Sequence, residues 1–435
     1  MGEMTLIKEV YKRDGRKIPF NKERITRAIY LAAEEVSKRE GTEADYHLSE
    51  QLADEVVAKI NQSFFGKTPN VEDIQDAVVK VLIETGHAKT SEQYILYRAE
   101  RSRVRDSQSR LMKEIKEITF SDADAADVKR ENANIDGNTA MGTMLQYGSA
   151  VSKEFCKTNM LKPEHTRAHE AGEIHIHDMD FMNMGTLTCC QIDLLKLFKG
   201  GFSTGHGFLR EPNDIMSYAA LAAIAIQSNQ NDQHGGQSIP FFDYGLADGV
   251  KKTFRKSYTD HLQQGLELML DLEDEELADM KGFIEKVEEN SGATLQLSLT
   301  DEYKQAEKKQ LMEQFNMDEK LAGKIQRFAY KESHKETKRK TYQAMEAFIH
   351  NLNTMHSRAG AQVPFSSVNF GTDASAEGRM VTENLLLSVE SGLGNGETPI
   401  FPILIFKVKE GISLNPGDPN YDLFKLACRV SAKRL

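Results

Sequence analysis

Three groups of side chains in this sequence are of types and spacings that could do chemistry. The first is the run EIHIHDMDF, where His175 and His177 alternate around Ile176 and Asp178 follows. On a strand both imidazoles would share one face, and with Asp178 they could bind a metal ion. The spacing supplies no third ligand, and a core histidine bonded to aspartate is the commoner use of such a pair, so no metal site is assigned. The second is the vicinal pair Cys189-Cys190 in GTLTCCQIDL. A thiol at a strand end can accept and donate hydrogen atoms and electrons, or it can be a small buried hydrophobe, the usual state of a free cysteine. On a regular strand the two neighbours point to opposite faces, so only one can face a pocket.

The third group is cationic. Lys12, Arg13 and Arg16 surround Asp14-Gly15 between the short apolar runs EVYK and KIPF, and Lys22 and Arg24 come just after. Asp-Gly in that setting is a hairpin-turn signal. A hairpin tip with exposed N–H groups and several cations can hold a triphosphate, and the helix N-terminus behind it also favours anions. From charge alone a solvated turn is the commoner outcome. A glycine-rich loop, Gln233-His234-Gly235-Gly236-Gln237, could approach a nucleotide closely because glycine leaves the backbone exposed; an ordinary turn is an equal reading.

The elements that must position these groups fall into regions of different texture. After the hairpin, Asn21 can cap a helix carrying Ile25, Ala28, Ile29, Ala32 and Val36 on one face. A second helix carries Leu52, Val56, Val57 and Ile60, a third follows Pro69-Asn70, and a fourth starts near Ser91 and runs through Tyr97 and Arg98. Residues 101–130 read as a charged helical connector and 131–250 as a less charged region with an apolar helix from Ile215 to Ile226. Residues 251–360 are periodic and charged, as in solvent-exposed amphipathic helices. Two apolar runs follow, Gln362–Phe370 and Ile400–Val408; the second suits a strand buried on both faces of a mostly parallel sheet. The last residues keep helical spacing at Leu423, Leu426, Ala427 and Val430 with no cap or glycine stop, so a continuation is expected.

Composition narrows the function classes. The chain has 435 residues, 40% of them hydrophobic and 28% charged, which suits a globular protein of two or three domains at about 100–200 residues each. A net charge of −11 argues against non-specific nucleic-acid binding, though not against a local phosphate site. No run approaches the ~18–20 apolar residues of a membrane span, and the N-terminus has no signal-like stretch, so a cytoplasmic protein is expected. No two of Cys156, Cys189, Cys190 and Cys428 are spaced C-x-x-C, which argues against structural zinc in these residues.

Over residues 5–100, the order YKRDGRKIPFNKERITRAI, TPNVEDIQDAVVKVLI and TSEQYILYR resembles the ATP-cone. That resemblance implies that Lys12, Arg13, Asp14, Gly15, Arg16, Lys22 and Arg24 contact ATP or dATP, with Mg, as an allosteric switch that ATP turns on and dATP off. Tyr97 and Arg98 match the closing Tyr-Arg of that family, where packing of the last helix is an equal reading.

From Asn132 onward, NANIDGNTAMG, AHEAGEIHIHDMDF, the cysteine followed by Ile192-Asp193, the long helix before the His-Gly-Gly loop, and TPIFPILIFKVKEGI resemble the anaerobic (class III) ribonucleotide reductases. The resemblance covers residues 5–435 except the charged region near 255–345. It implies an α/β fold: an ATP-cone (1–100), a connector (101–130), and the first part of a ten-stranded α/β barrel of glycyl-radical-enzyme type (131–435). It implies anaerobic reduction of ribonucleoside triphosphates, with deoxynucleotide effectors, a radical-SAM activase, formate or a thioredoxin-like reductant, and a homodimer. Cys189 matches the family's early-strand cysteine, which takes part in reduction at the 2′ carbon, and Cys190 is its neighbour. Effector- and substrate-related loops would fall on His234, Gly235, Gly236 and Gln237 and on Asn369 and Gly371. The family's thiyl cysteine, glycyl-radical segment and zinc cysteines match nothing up to Leu435, so these residues by themselves are expected to be inactive. Thr188 stands where the formate-oxidising branch usually has Asn, which leaves the electron donor open. A non-catalytic ATP/dATP sensor or split-gene subunit is the alternative; another glycyl-radical enzyme fits less well, because an ATP-cone senses the ATP/dATP ratio.

Overall fold

The computed structural model describes residues 7–13, 15–120, 139–270, 279–357 and 362–434. The chain divides into two compact units, residues 1–116 with 154–175, and residues 117–153 with 176–435.

In the first unit, β1 (Glu9–Tyr11) and β2 (Lys17–Pro19) form an antiparallel hairpin with Val10 opposite Ile18. Its turn is closed by the Lys12 N–H on the Arg16 carbonyl (2.8 Å) and the Gly15 N–H on the Lys12 carbonyl (3.0 Å). Gly15 has φ +81°, a conformation open to glycine at little cost. Asp14 lies outside the described residues. Helices α1 (Glu23–Glu40), α2 (Tyr46–Ser63), α3 (Val71–Glu84) and α4 (Ala88–Phe120) follow. Asn21 Oδ1 accepts the Glu23 N–H at 2.8 Å, and Asn70 and Asp73 form a reciprocal capping box on α3. Ile25, Ile29, Leu52, Val56, Ile60, Val78, Val81 and Leu82 make the core. Helix α5 (Ala140–Phe155) belongs mostly to the second unit, while a π turn at Cys156–Met160 and the short helix α6 (Pro163–Glu170) belong to the first; α6 opens on a proline, whose missing N–H is no loss there.

The second unit is α/β. Its strands are β3 (Cys190–Gln191), β4 (Phe202–Ser203), β5 (Phe208–Leu209), β6 (Gln237–Ile239), β7 (Ser366–Phe370) and β8 (Ile403–Phe406). Its helices are α7 (Leu194–Phe198), α8 (Ile215–Asp232), α9 (Phe242–Leu270), α10 (Met280–Ser291), α11 (Asp301–Phe315), α12 (Glu319–Thr354), α13 (Ala376–Ser391) and α14 (Tyr421–Arg434). Four strands make a parallel sheet in the order β3-β6-β7-β8, with Cys190 opposite Gln237, Gln237 opposite Ser366 and Ser367 opposite Ile403. Helical crossovers join each strand to the next, as parallel pairing requires. One face of the sheet, with Ile239, Val368 and Phe370, packs on a core shared with Phe242, Phe254, Tyr258, Phe348 and Leu385. On the other face Ser238, Ser367 and Asn369 are half-buried and Ile403 and Ile405 exposed.

Three expectations are corrected. The segment from Ile400 to Val408 does not give a strand buried on both faces: Ile403 is 45% and Ile405 41% exposed, because β8 is the last strand of the sheet and its second face has no layer over it among the described residues. His175 and His177 do not alternate along a strand: residues 171–186 run through turns and irregular backbone, so no shared face results. The charged region 251–360 is not a set of solvated helices: α9, α11 and α12 supply much of the core, with Tyr258, Glu307 and Thr337 buried. No helix among the described residues is long and apolar enough to cross a membrane.

Candidate functional site

The two cysteines sit where β3 begins. The Cys190 N–H donates to the Gly236 carbonyl at 3.2 Å, and the Ile192 N–H to the Ser238 carbonyl at 2.8 Å. Cys190 shares its face with Gln237, its partner in register. Its Sγ accepts from Asn229 Nδ2 at 3.0 Å, and that amide also donates to Gln237 Oε1 at 2.7 Å. Burial pushes the Cys190 thiol up; the Asn229 contact opposes this and the neighbouring Cys189 adds to it. Cys189 is exposed and, by alternation, takes the opposite face, that of Gln191, Ser238 and Ser367. The dithiol is therefore divided between the two sides of the sheet.

The glycine-rich loop closes on this point. A Cβ at Gly235 (φ +83°) would lie 1.8 Å from the Thr188 carbonyl oxygen and 3.5 Å from Cys189 Sγ, so only glycine fits. A Cβ at Gly236 would meet the Phe365 ring at 3.3 Å. His234 is buried, with Nδ1 2.8 Å from Thr186 Oγ1 and its ring stacked on Phe181 at 4.5 Å. Asn369 lies across the same open face, its Oδ1 accepting from Ser238 Oγ at 3.1 Å. Gly371 is at the other end of β7, its N–H on buried Asp243 at 2.8 Å. Of the expected loop residues, the structure gathers His234, Gly235 and Gly236 around Cys189, puts Gln237 behind Cys190, and leaves Gly371 apart.

At the hairpin in the first unit, Arg13 reaches Glu72 and, at 3.2 Å, Gln75 Oε1 on α3. Arg98 on α4 donates to Glu72 and Asp76, each at 2.5 Å. Partial burial pushes the Glu72 carboxyl up, but Arg98 and Arg13 outweigh it and hold the group below its ordinary range. Lys22 Nζ donates to Asp54 at 2.7 Å. Lys12 and Arg24 make no ion pair among the described residues, and Arg16 stands on the turn beside Gly15. The geometry thus collects cations round one turn and holds Arg13 and Lys22 on carboxylates.

Residues 131–435 match the family model described as anaerobic ribonucleoside-triphosphate reductase. The chain belongs to that family. Residues 8–103 match the model of the ATP cone domain. The anaerobic ribonucleoside-triphosphate reductase of Escherichia coli (strain K12) is 27% identical over 429 residues, 98% of this chain and 50% of that one. The vitamin B12-dependent ribonucleoside-diphosphate reductase of Thermoplasma acidophilum is 44% identical over 106 residues, 23% of this chain and 13% of that one. A crystal structure of the anaerobic ribonucleotide reductase from Thermotoga maritima, in complex with dATP and CTP, aligns with a TM-score of 0.42 at 10% identity, covering 77% of this chain and 48% of that one. The chain spans about half the length of the curated relatives it matches.

Sequence reasoning passed over Asn229, Thr186 and Asp243. Asn229 had a signal: a polar cluster, SNQND, ends the otherwise apolar helix α8. Thr186 and Asp243 had none, because their partners lie 48 and 128 residues away. Among the described residues, no group of three or more His, Cys, Asp or Glu side chains could hold a metal ion.

Proposed function

We propose that this chain carries out the nucleotide-sensing and early-barrel part of anaerobic ribonucleoside-triphosphate reduction. The observation that carries the reading is Cys189 itself: an exposed thiol at the head of a parallel strand, on the open face of the sheet, with its neighbour Cys190 turned away toward Asn229. A thiol so placed can give a hydrogen atom to a carbon-centred ribose radical in front of it, becoming a thiyl radical that the formate or thioredoxin-like reductant would return to the thiol. Cys189 is the reducing thiol, and Cys190, Asn229 and Gln237 fix the strand behind it. Asn369 and the loop His234–Gly236 border the nucleotide, with Gln237 behind the strand.

The domain division is a cone at 1–100, a connector at 101–130 and barrel residues at 131–435. The cone binds ATP or dATP with Mg, through Lys12, Arg13, Gly15 and Arg16, with Asp14 on the same turn and Lys22 and Arg24 behind it. The residues fit a triphosphate: several cations converge on one hairpin tip, where Gly15 takes a left-handed backbone conformation. The partners are ribonucleoside triphosphates, deoxynucleotide effectors, a radical-SAM activase, formate or a thioredoxin-like reductant, and a second copy in a homodimer; the compartment is the cytoplasm. The glycyl radical supplies the one-electron oxidation that the chemistry needs, and neither it nor zinc is assigned to any of these residues.

Turnover of the assembled enzyme with activase and reductant tests the reading. Cys189→Ser is expected to abolish deoxynucleotide formation while Cys190→Ser retains part of it. Full turnover in Cys189→Ser would sink the assignment. Calorimetric titration of ATP and dATP into the 435-residue chain is expected to show mutual competition; no heat from either would remove the cone from the proposal.

A further inference from the structure

Asp178 is one of two non-glycine residues with positive φ among the described residues, at 51°. Backbone held in that region costs free energy, and such outliers gather where geometry matters to function. Its carboxylate is where two imidazoles meet. His234 Nε2 lies 3.3 Å from Asp178 Oδ2, and His177 Nδ1 closes on the same oxygen. His234 Nε2 is buried and makes no hydrogen bond in the strict sense, so its contact with Asp178 is electrostatic at ion-pair distance. A carboxylate beside Nε2 favours the proton there. Nδ1 is then an acceptor, and Thr186 Oγ1 donates to it at 2.8 Å.

The other contacts of His234 lead to the same short stretch. Its N–H donates to the Leu187 carbonyl at 3.0 Å, and the next residue, Gly235, lies against the Thr188 carbonyl. Thr186, Leu187 and Thr188, the three residues leading into Cys189, are therefore each held by His234 or its neighbour. Phe181 stacks on the ring at 4.5 Å with planes 6° apart, which keeps the imidazole from turning. The turn carrying Asp178 is anchored in its own right, Ser149 Oγ donating to Asp180 Oδ2 at 2.7 Å and Ser152 Oγ to Asn183 Oδ1 at 2.8 Å.

We infer that His234 is a positioning residue for the Cys189 thiol, with its tautomer fixed by the carboxylate of Asp178. Asp178 orders the imidazole, the imidazole orders Thr186, and Thr186 with its two successors sets where Cys189 Sγ stands on the open face. The consequence for turnover rests on Cys189 being the reducing thiol; the positioning itself does not.

Two readouts on the full 435-residue chain test this without turnover. The ¹⁵N shifts of the His234 ring report the tautomer. Site-resolved alkylation by iodoacetamide reports Cys189, with exposed Cys428 as internal standard. In the parent the Nε2–H tautomer is expected. Asp178→Asn and Asp178→Gly should lose that preference and change the Cys189 rate about three- to tenfold, the range of one net hydrogen bond, at an unchanged Cys428 rate. Asp178→Gly relieves the backbone conformation, so its melting temperature should equal or exceed the parent's, which separates positioning from folding. His234→Ala should change the Cys189 rate similarly; if it does not fold, the two Asp178 variants decide. A parent-like tautomer and a parent-like Cys189 rate in both Asp178 variants would overturn the inference. Retained turnover in Cys189→Ser would instead overturn only the role given to the thiol.

Discussion

The Tyr258 hydroxyl donates to Glu307 Oε2 at 2.8 Å, and neither side chain has exposed surface. Gln326 Nε2 donates to the same oxygen at 2.6 Å. Burial raises the Glu307 carboxyl from 4.5 to about 7, against the opposing pull of Gln326 and Tyr258. Below pH 4.5 the acid is protonated folded and unfolded, and folding carries no penalty from it. Between pH 4.5 and about 7 only the folded state keeps the proton, so stability falls as pH rises; above that the loss levels off. At about 1.4 kcal/mol per pH unit the loss is about 3 kcal/mol. Glu307→Gln should flatten this slope in urea titrations run from pH 4.5 to pH 7.5; an undiminished slope would place its origin elsewhere.

Asp243 Oδ2 accepts three backbone N–H groups, from Gly371 (2.8 Å), Thr372 (3.0 Å) and Asp373 (2.9 Å). Asn420 Nδ2 holds the same loop from the other side, on the Gly371 and Asp373 carbonyls at 3.0 and 2.9 Å. Asp243→Ala leaves buried donors without an acceptor and is expected to lower unfolding free energy by about 3 kcal/mol. Asp243→Asn, which keeps an acceptor oxygen, should lose less. Equal losses in chemical denaturation would show that the carboxylate geometry is not what holds the loop.

Gly235→Ala must move the Thr188 carbonyl, a backbone atom that cannot swing aside. Stability should fall by about 2 kcal/mol or more, the left-handed penalty plus the displacement, and Cys189 alkylation should change. Gly205→Ala is the control: φ is +91° there, but no atom lies within 4 Å of the added Cβ. It should lower stability by about 1–2 kcal/mol and leave Cys189 untouched. An equal effect of both variants on Cys189 would show that the close approach at Gly235 is irrelevant to the thiol.

In the cone, Arg98 and Lys12 should separate stability from binding. Arg98 joins α4 to Glu72 and Asp76, but the pairs are partly exposed, so Arg98→Ala should cost about 1 kcal/mol or less. Lys12 makes no ion pair among the described residues. Lys12→Ala should leave the melting temperature alone and weaken ATP and dATP about tenfold or more, one charge-assisted contact. Calorimetry giving parent-like affinity would remove Lys12 from the site.

Local signals in the sequence were readable in proportion to how local their causes are. The hairpin turn at Gly15, the Asn21 cap and the apolar run opening α8 each depend on neighbours within a few residues, and each is found where expected. Cys189 and Gly235 were legible as residue types, but their approach was not, since it joins two segments 46 positions apart through backbone contact alone. β8 misled for a related reason: hydrophobicity records that Leu404 and Phe406 pack on the core but not that Ile403 and Ile405 have nothing over them. The charged helices hid a core because Tyr258, Glu307 and Gln326 satisfy one another, and a polar residue matched inside a bundle looks like a surface residue in one dimension.

The pairing of β6 with β7 sets Ile239 beside Val368, with four helices threaded between them in the chain. Closing so long a segment is entropically expensive, although the penalty grows only slowly with length, and no local contact offsets it in advance. Helices α9 and α12 pack on one another and bring those ends together. The order of assembly expected from this is that the helical layer collapses first and the sheet registers on it afterwards. Cys189, at the head of β3, gains its surroundings only when Gly236 and Ser238 are already in line. The half-buried Cys190 thiol, which meets Asn229 only in the registered sheet, is thus expected to be covered late, and the fall in its alkylation during refolding is a clock for the last step rather than the first.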